Sequence, residues 1–231
     1  MKFIKFSLIT VALFTAQTGF AEPVTLKTPQ DNINYAVGVN MANTLKNQGF
    51  EVDFNLVMQG FKDASTDANL LLSEQELRKA TIQYQNVVRK KQGARAKLNK
   101  AAANKKTGEA FLAQNKNREE VKTLPSGLQY LVLIAGKGKT PSSDDTVEYN
   151  YRGLHLKGTE YDSSYRSGKP VTVKVSESPI PALQEAFKLM PVGSKWQLFI
   201  PPQLAYGEQG LGLSVGPNET VILEVELLAI K

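Results

Sequence analysis

The chain has no cysteine, a single histidine and a single tryptophan, and beyond residue 21 it has no long apolar run. Without cysteine, neither a disulfide framework nor a lipid-bearing thiol is available, and stability must rest on packing. With His155 alone and no thiol, a Ser/His/Asp triad, a Cys/His pair or a His-based zinc site finds no support, and neither metal nor cofactor is expected. No later stretch approaches the ~20 apolar residues that a transmembrane helix needs, so no transmembrane segment is expected.

Several apparent motifs also fall short. Gly138-Lys139-Thr140 resembles the end of a phosphate-binding loop, but Leu133 stands where that loop needs glycine, and Pro141 prevents an immediate helix. Gly207, Gly210, Gly212 and Gly216 read as a flexible loop, and Asn218-Glu219-Thr220 after Gly216-Pro217 reads as a turn.

What is present begins with an address. Lys2 and Lys5 precede an apolar run from Leu8 to Phe14, and Gly19-Phe20-Ala21 ends it with small residues, so residues 1–21 read as a cleaved secretory signal. The remainder is expected to be exported, with the periplasm as its location and outer-membrane association or secretion left open. The net charge of +6 is concentrated in residues 72–122, where 13 basic residues face 5 acidic ones. In an exported chain this reads as a solvated helix face, and no nucleic-acid partner is expected.

Residues 22–72 read as a small helical domain. Thr28-Pro29-Gln30-Asp31 places a capping hydroxyl before proline, and Ile33, Val37, Met41 and Leu45 follow at four-residue spacing towards Gly49. A second helix is predicted from Asp53, with Phe54, Val57, Met58 and Phe61 on one side. A third opens on Ser73-Glu74-Gln75-Glu76, a capping box, and forms a long connecting helix over 73–122. Gly93 and Gly108 leave bends or breaks open. The apolar stripe Leu77, Ala80, Tyr84, Val87, Val88 predicts packing for the first half, whereas the Ala, Lys, Asn and Gln beyond Leu98 predict none. So thin a core predicts a homodimer through these helices, with a small monomeric helical domain as the alternative.

Residues 123–231 switch to strand-like runs at Leu128–Ile134, Thr146–Tyr151, Val171–Val175, Lys195–Ile200 and Val221–Ile230, with one helix over Pro181–Met190. This predicts an α+β domain, an antiparallel sheet with one helix against a face. Pro201 and Pro202 should end a strand, placing Tyr206 outside it before Gly207. Tyr151-Arg152-Gly153 should close another.

The ordered series Tyr151-x-Gly153, Tyr161-Asp162-Ser163-Ser164, Pro170-Val171, Ile180-Pro181, Leu189-Met190-Pro191-x-Gly193, Ile200-Pro201-Pro202-x-Leu204-Ala205-Tyr206-Gly207 and Pro217-Asn218-x-Thr220 resembles the FKBP family of peptidyl-prolyl cis-trans isomerases (rotamases). The helical part is similar to the Mip and FkpA group of exported bacterial foldases, which are dimers. The resemblance implies an FKBP-like sheet wrapped on one short helix and a pocket lined by Tyr151, Tyr161, Asp162, Val171, Ile180, Tyr206, Val215 and Leu223. Leu183 falls where that pocket's floor is usually tryptophan, Ala182 where glycine is common, and Val171 and Leu223 replace aromatics, so the pocket should be wider and less aromatic. It further implies that the Tyr206 hydroxyl and the Ile180 N–H hold substrate carbonyls and that Asp162 polarises the twisting one. From its neighbours alone, Asp162 could equally cap the turn with Ser163 and Ser164. The implied partners are unfolded, proline-containing polypeptides. The alternative is a holdase-type chaperone or proline-peptide-binding module that grips such chains without turning them.

Overall fold

Polar caps start the first three helices where the residue pattern places them. The computed structural model describes residues 24–66 and 69–231, so the expected leader, residues 1–21, lies outside the described residues. Helix α1 spans Pro29–Asn47 and α2 spans Phe54–Ser65. The Thr28 hydroxyl accepts the Asp31 N–H (3.1 Å) while the Asp31 carboxylate accepts the Thr28 N–H (2.9 Å), which satisfies two otherwise orphaned donors. Asp53 does the same for Asn55 and Leu56 at the start of α2. No residue of α1 is buried, and its stripe at Ile33, Val37 and Met41 is 42–56% exposed.

The contacts divide the chain after Leu71, and the second unit, Leu72–Lys231, contains both the long helix and the sheet. Helix α3 spans Glu74–Asn115, 42 residues without interruption at Gly93 or Gly108, which at ~1.5 Å per residue is roughly 63 Å. Its packing departs from the expectation in the second half. Along the predicted stripe Leu77 and Val87 are 44% and 40% exposed while Tyr84 and Val88 are half-buried, and the polar second half also packs, by docking on the sheet. Phe111 lies 5.8 Å from Phe199, ring to ring, and Asn115 donates to Gln129 (2.9 Å), whose own amide donates to the Leu112 carbonyl (2.9 Å). Gly108 is needed for this approach, since a Cβ there would lie 2.1 Å from the Thr220 hydroxyl oxygen.

The sheet has seven strands, all paired antiparallel: β1 (Val121–Thr123), β2 (Gln129–Ile134), β3 (Thr146–His155), β4 (Glu160–Ser163), β5 (Val171–Lys174), β6 (Lys195–Ile200) and β7 (Val221–Ile230). Their order is β1-β2-β6-β7-β3-β4, with β5 also on β3. Three departures from the expected strands appear. β1 and β4 are additional, and β3 does not close at Gly153 but runs on to His155. The short helix α4 covers Pro181–Phe187, ending before Met190.

Alternation along the strands makes two apolar layers. Val147, Tyr149, Trp196, Leu198, Ile200, Val221, Leu223, Val225 and Leu227 face α4 and form the main core with Leu183, Ala186 and Phe187. Leu154, Phe199 and Ile222 face the other way and are covered by Phe111 and Leu112 of α3. A Gly108→Val substitution should therefore push α3 off the sheet and cost about 1–3 kcal/mol, read as a lower urea midpoint for Trp196 fluorescence. Gly93→Ala, where nothing lies within 4 Å of the new methyl, should leave that midpoint unlowered.

Candidate functional site

Gly153 sets the geometry of one wall. A Cβ at this position would lie 2.5 Å from Cζ of Tyr161, so only glycine lets the Tyr161 ring lie across β3. The strand pairing places Gly153 opposite Asp162, with a register shift directly after it. Two residues earlier on the same face, Tyr151 donates its hydroxyl to Asp162 Oδ2 (2.6 Å), and the other carboxylate oxygen, Oδ1, accepts the Ser163 N–H (2.8 Å). Asp162 is thus held by Tyr151 and by its own turn at once. Ser164 plays no part in that cap: its hydroxyl donates to Asn150 Oδ1 (2.9 Å) and accepts the Tyr151 N–H (3.0 Å).

The opposite wall follows the end of β6. Pro201 takes extended angles and starts a single 3₁₀ turn at Pro202–Leu204, because proline cannot continue the ladder. The turn is closed by the Gly207 N–H on the Pro202 carbonyl (2.8 Å), with Gly207 at φ +57°, where a side chain would be strained. Tyr206 is held at this corner with its ring edge-on to Tyr161 (6.0 Å, 83°) and the two hydroxyl oxygens 3.4 Å apart. With Tyr161 donating, the Tyr206 proton remains for a ligand.

The third wall is the start of α4. Pro181 forces Ile180 into the extended region (φ −108°, ψ 110°). The Ile180 carbonyl accepts the Leu183 N–H (2.9 Å), but among the described residues its own N–H meets no acceptor. Beneath lie Leu183, Val215 and Leu223, each no more than 2% exposed, with half-buried Val171 beside them. The structure thus brings every sequence-predicted residue together. Tyr151, Tyr161, Val171, Ile180, Leu183, Tyr206, Val215 and Leu223 all belong to or pack on one apolar cluster, and Asp162 is tied to it through Tyr151. Trp196 is buried in that same cluster but stacked on Tyr130 (4.3 Å, 5°).

Burial dominates the electrostatics. It raises the Tyr161 hydroxyl far above the ordinary phenol value, with the Tyr206 hydrogen bond adding to the rise, and it raises Tyr206, which the same bond partly offsets. Tyr151 is raised by burial first and by its bond to Asp162 second. Tyr149, 4% exposed behind Tyr151 and 4.9 Å from Phe187, is pushed up to about 12 by burial. Sequence reasoning missed Tyr149, although the two-residue period from Tyr151 would have found it. It also set His155 aside, whose ring lies 5.3 Å from Tyr161 and whose Nδ1 meets Glu219 Oε1 at 2.6 Å. Among the described residues no group of three or more His, Cys, Asp or Glu could hold a metal. What the arrangement offers is an apolar seat with a fixed carboxylate, a phenol hydroxyl and an unused backbone N–H at its edge.

Comparison with known proteins agrees. The domain amino terminal to FKBP-type peptidyl-prolyl isomerase matches residues 30–132, and the FKBP-type peptidyl-prolyl cis-trans isomerase domain matches residues 137–228. The chain is 36% identical to the outer membrane protein MIP of Legionella longbeachae, over all of this chain and 98% of that one. It is 37% identical to the peptidyl-prolyl cis-trans isomerase Mip of Coxiella burnetii, over all of this chain and 99% of the other. Among solved structures, FkpA from Escherichia coli superposes with a TM-score of 0.63 at 34% identity, covering 90% of this chain and 99% of that one. The chain belongs to the FKBP-type peptidyl-prolyl cis-trans isomerase family.

Proposed function

We propose that this isomerase turns X-Pro bonds of exported polypeptides in the cluster bounded by Tyr151, Asp162, Ile180 and Tyr206, and that it works as a dimeric periplasmic foldase. Rotation about the prolyl amide is opposed by a barrier of ~18–20 kcal/mol because resonance is lost in the twisted state. No bond is made or broken. Catalysis therefore needs only a site that binds the twisted amide better than either planar form. Leu183, Val215 and Leu223 give the proline ring a dry seat, which removes the water that favours the planar, charge-separated amide. The Tyr206 O–H and the Ile180 N–H anchor flanking carbonyls while the prolyl amide turns. Asp162, held against Tyr151, presents its negative charge to the twisting carbonyl carbon.

The observation that carries this reading is the pair of unused donors, Tyr206 O–H and Ile180 N–H, at the edge of an otherwise apolar cluster whose one carboxylate is immobilised. A donor at the rim of an apolar seat is free to take a ligand carbonyl.

Dimerisation is supported by α1, a helix of 19 residues with no buried residue, and by the exposed stripe of α3. Helices in proteins owe most of their stability to packing of an apolar face, so a second copy is the natural cover. Export is supported by the leader pattern in residues 1–21 and by the name of the Legionella relative, an outer membrane protein. Among the described residues no helix is long and apolar enough to cross a membrane.

Asp162→Ala and Tyr206→Phe should each slow catalysis of a proline-limited refolding reaction roughly tenfold, the equivalent of one hydrogen bond to the turning amide, with the domain still folded. Unchanged rates in both would sink the assigned roles. The catalysed rate should be level from pH 8 to 10 and fall only at higher pH. The raised tyrosines keep their protons past the ordinary value of about 10 and lose them as pH climbs above it. Sedimentation of the mature chain should give a dimer, and a monomer at tens of micromolar would remove that part of the reading.

A further inference from the structure

Between Tyr206 and β7 the chain makes a loop, Gly207–Thr220, whose tip at Leu213 is fully exposed while Val215 is buried in the site's floor. The loop is secured on two sides. From β3, His155 bonds Glu219, whose second carboxylate oxygen accepts the Gly216 N–H (2.7 Å). From α3, Asn104 donates its side-chain amide to the Pro217 carbonyl (2.8 Å), and Lys97 reaches Gln209 (3.2 Å) at the solvent edge.

Gly216 explains how closely the helix comes. Its φ is not in the left-handed region, so its glycine is not there for backbone freedom. A Cβ would instead lie 2.7 Å from Asn104 Nδ2 and 2.9 Å from the Lys100 side chain. Further along the helix, Gly108 seats against Thr220, which is 1% exposed. A long helix and a loop have thus been fitted to one another by two glycines, one on each partner, and by a hydrogen bond whose acceptor belongs to a buried residue, Pro217.

We propose that Asn104 is a positioning residue of the isomerase site: by docking α3 on Gly216-Pro217 it holds the loop that carries Tyr206 at one end and Val215 in its middle. The proposal rests on the site reading above. A loop of this length, free of α3, would have to be ordered by each incoming peptide, and that entropy would appear in binding. Asn104 itself touches neither Tyr206 nor substrate and acts through the loop. The long helix is then part of the catalytic machinery and not only a spacer.

The test uses the full mature chain, a proline-containing tetrapeptide over a range of concentrations, and amide hydrogen exchange. Asn104→Ala should raise KM roughly fivefold, as for the loss of one hydrogen bond, and leave kcat within about twofold. It should also speed exchange at the Gly210 and Asn218 amides, which are bonded to the Tyr206 and Gly207 carbonyls, while the β7 amides stay protected. Gly216→Ala attacks the same contact from the other side and should raise KM similarly. The double variant should be no worse than Gly216→Ala alone, since Asn104→Ala removes a contact that the new methyl has already broken. An unchanged KM in Asn104→Ala, with or without faster loop exchange, overturns the proposal, as do additive effects in the double variant. If Tyr206→Phe also keeps the wild-type rate, the site reading has failed as well; if Tyr206→Phe slows turnover normally, the positioning role alone has failed.

Discussion

The pairing of β7 between β3 and β6 is the constraint on which the catalytic unit depends. Its ten residues alternate so that Val221, Leu223, Val225 and Leu227 build one core while Ile222 builds the other. A shift of one residue would exchange the two layers, so register is fixed from both sides. Once it is fixed, the Gly153 pairing with Leu223 brings the flat spot beneath Tyr161 next to the floor of the site. Asp162, on the strand beyond, is then within reach of Tyr151. The backbone ladder brings the polar members within reach, and their bonds to one another then fix them.

Electrostatically the site is an economy of donors. Each tyrosine hydroxyl around it is kept neutral by burial, and all but Tyr206 have their protons committed or walled in. The carboxylate spends one oxygen on a phenol and one on a backbone N–H, so it cannot swing towards solvent. A preorganised group of this kind needs no rearrangement at the moment of turnover. In the proposed reading the apolar floor, with leucine at position 183, places few electronic demands on its guest, and recognition falls mainly on shape and on the donors at the edge.

Much of this was legible in residue order. The capping hydroxyl at Thr28, the capping box at Ser73, the alternating runs of β6 and β7 and the prolines after Ile200 each carry a local physical signature, and the structure keeps them. The motif series around Tyr151, Asp162 and Tyr206 named residues that lie together in the structure because it resembles a family whose fold places them so. What was not legible were contacts made by small or polar residues. Strand β4 is four residues long and β1 three, too short for a period to show, and Gly153 reads as a terminator although β3 passes through it. The docking half of α3 was invisible for the same reason. Its interface sets Phe111 and Leu112, a single apolar pair, among Gly108, Asn104 and Asn115, which a hydrophobic count scores as solvent-facing.

That docking changes where the catalytic module begins. The sheet's outer layer of Leu154, Phe199 and Ile222 has Phe111 and Leu112 as its cover, and these lie before the first strand. A gene segment encoding only the strands and α4 would inherit that layer bare, as a sticky face in search of another protein. The sheet is therefore covered on both faces only together with the last turns of the helix.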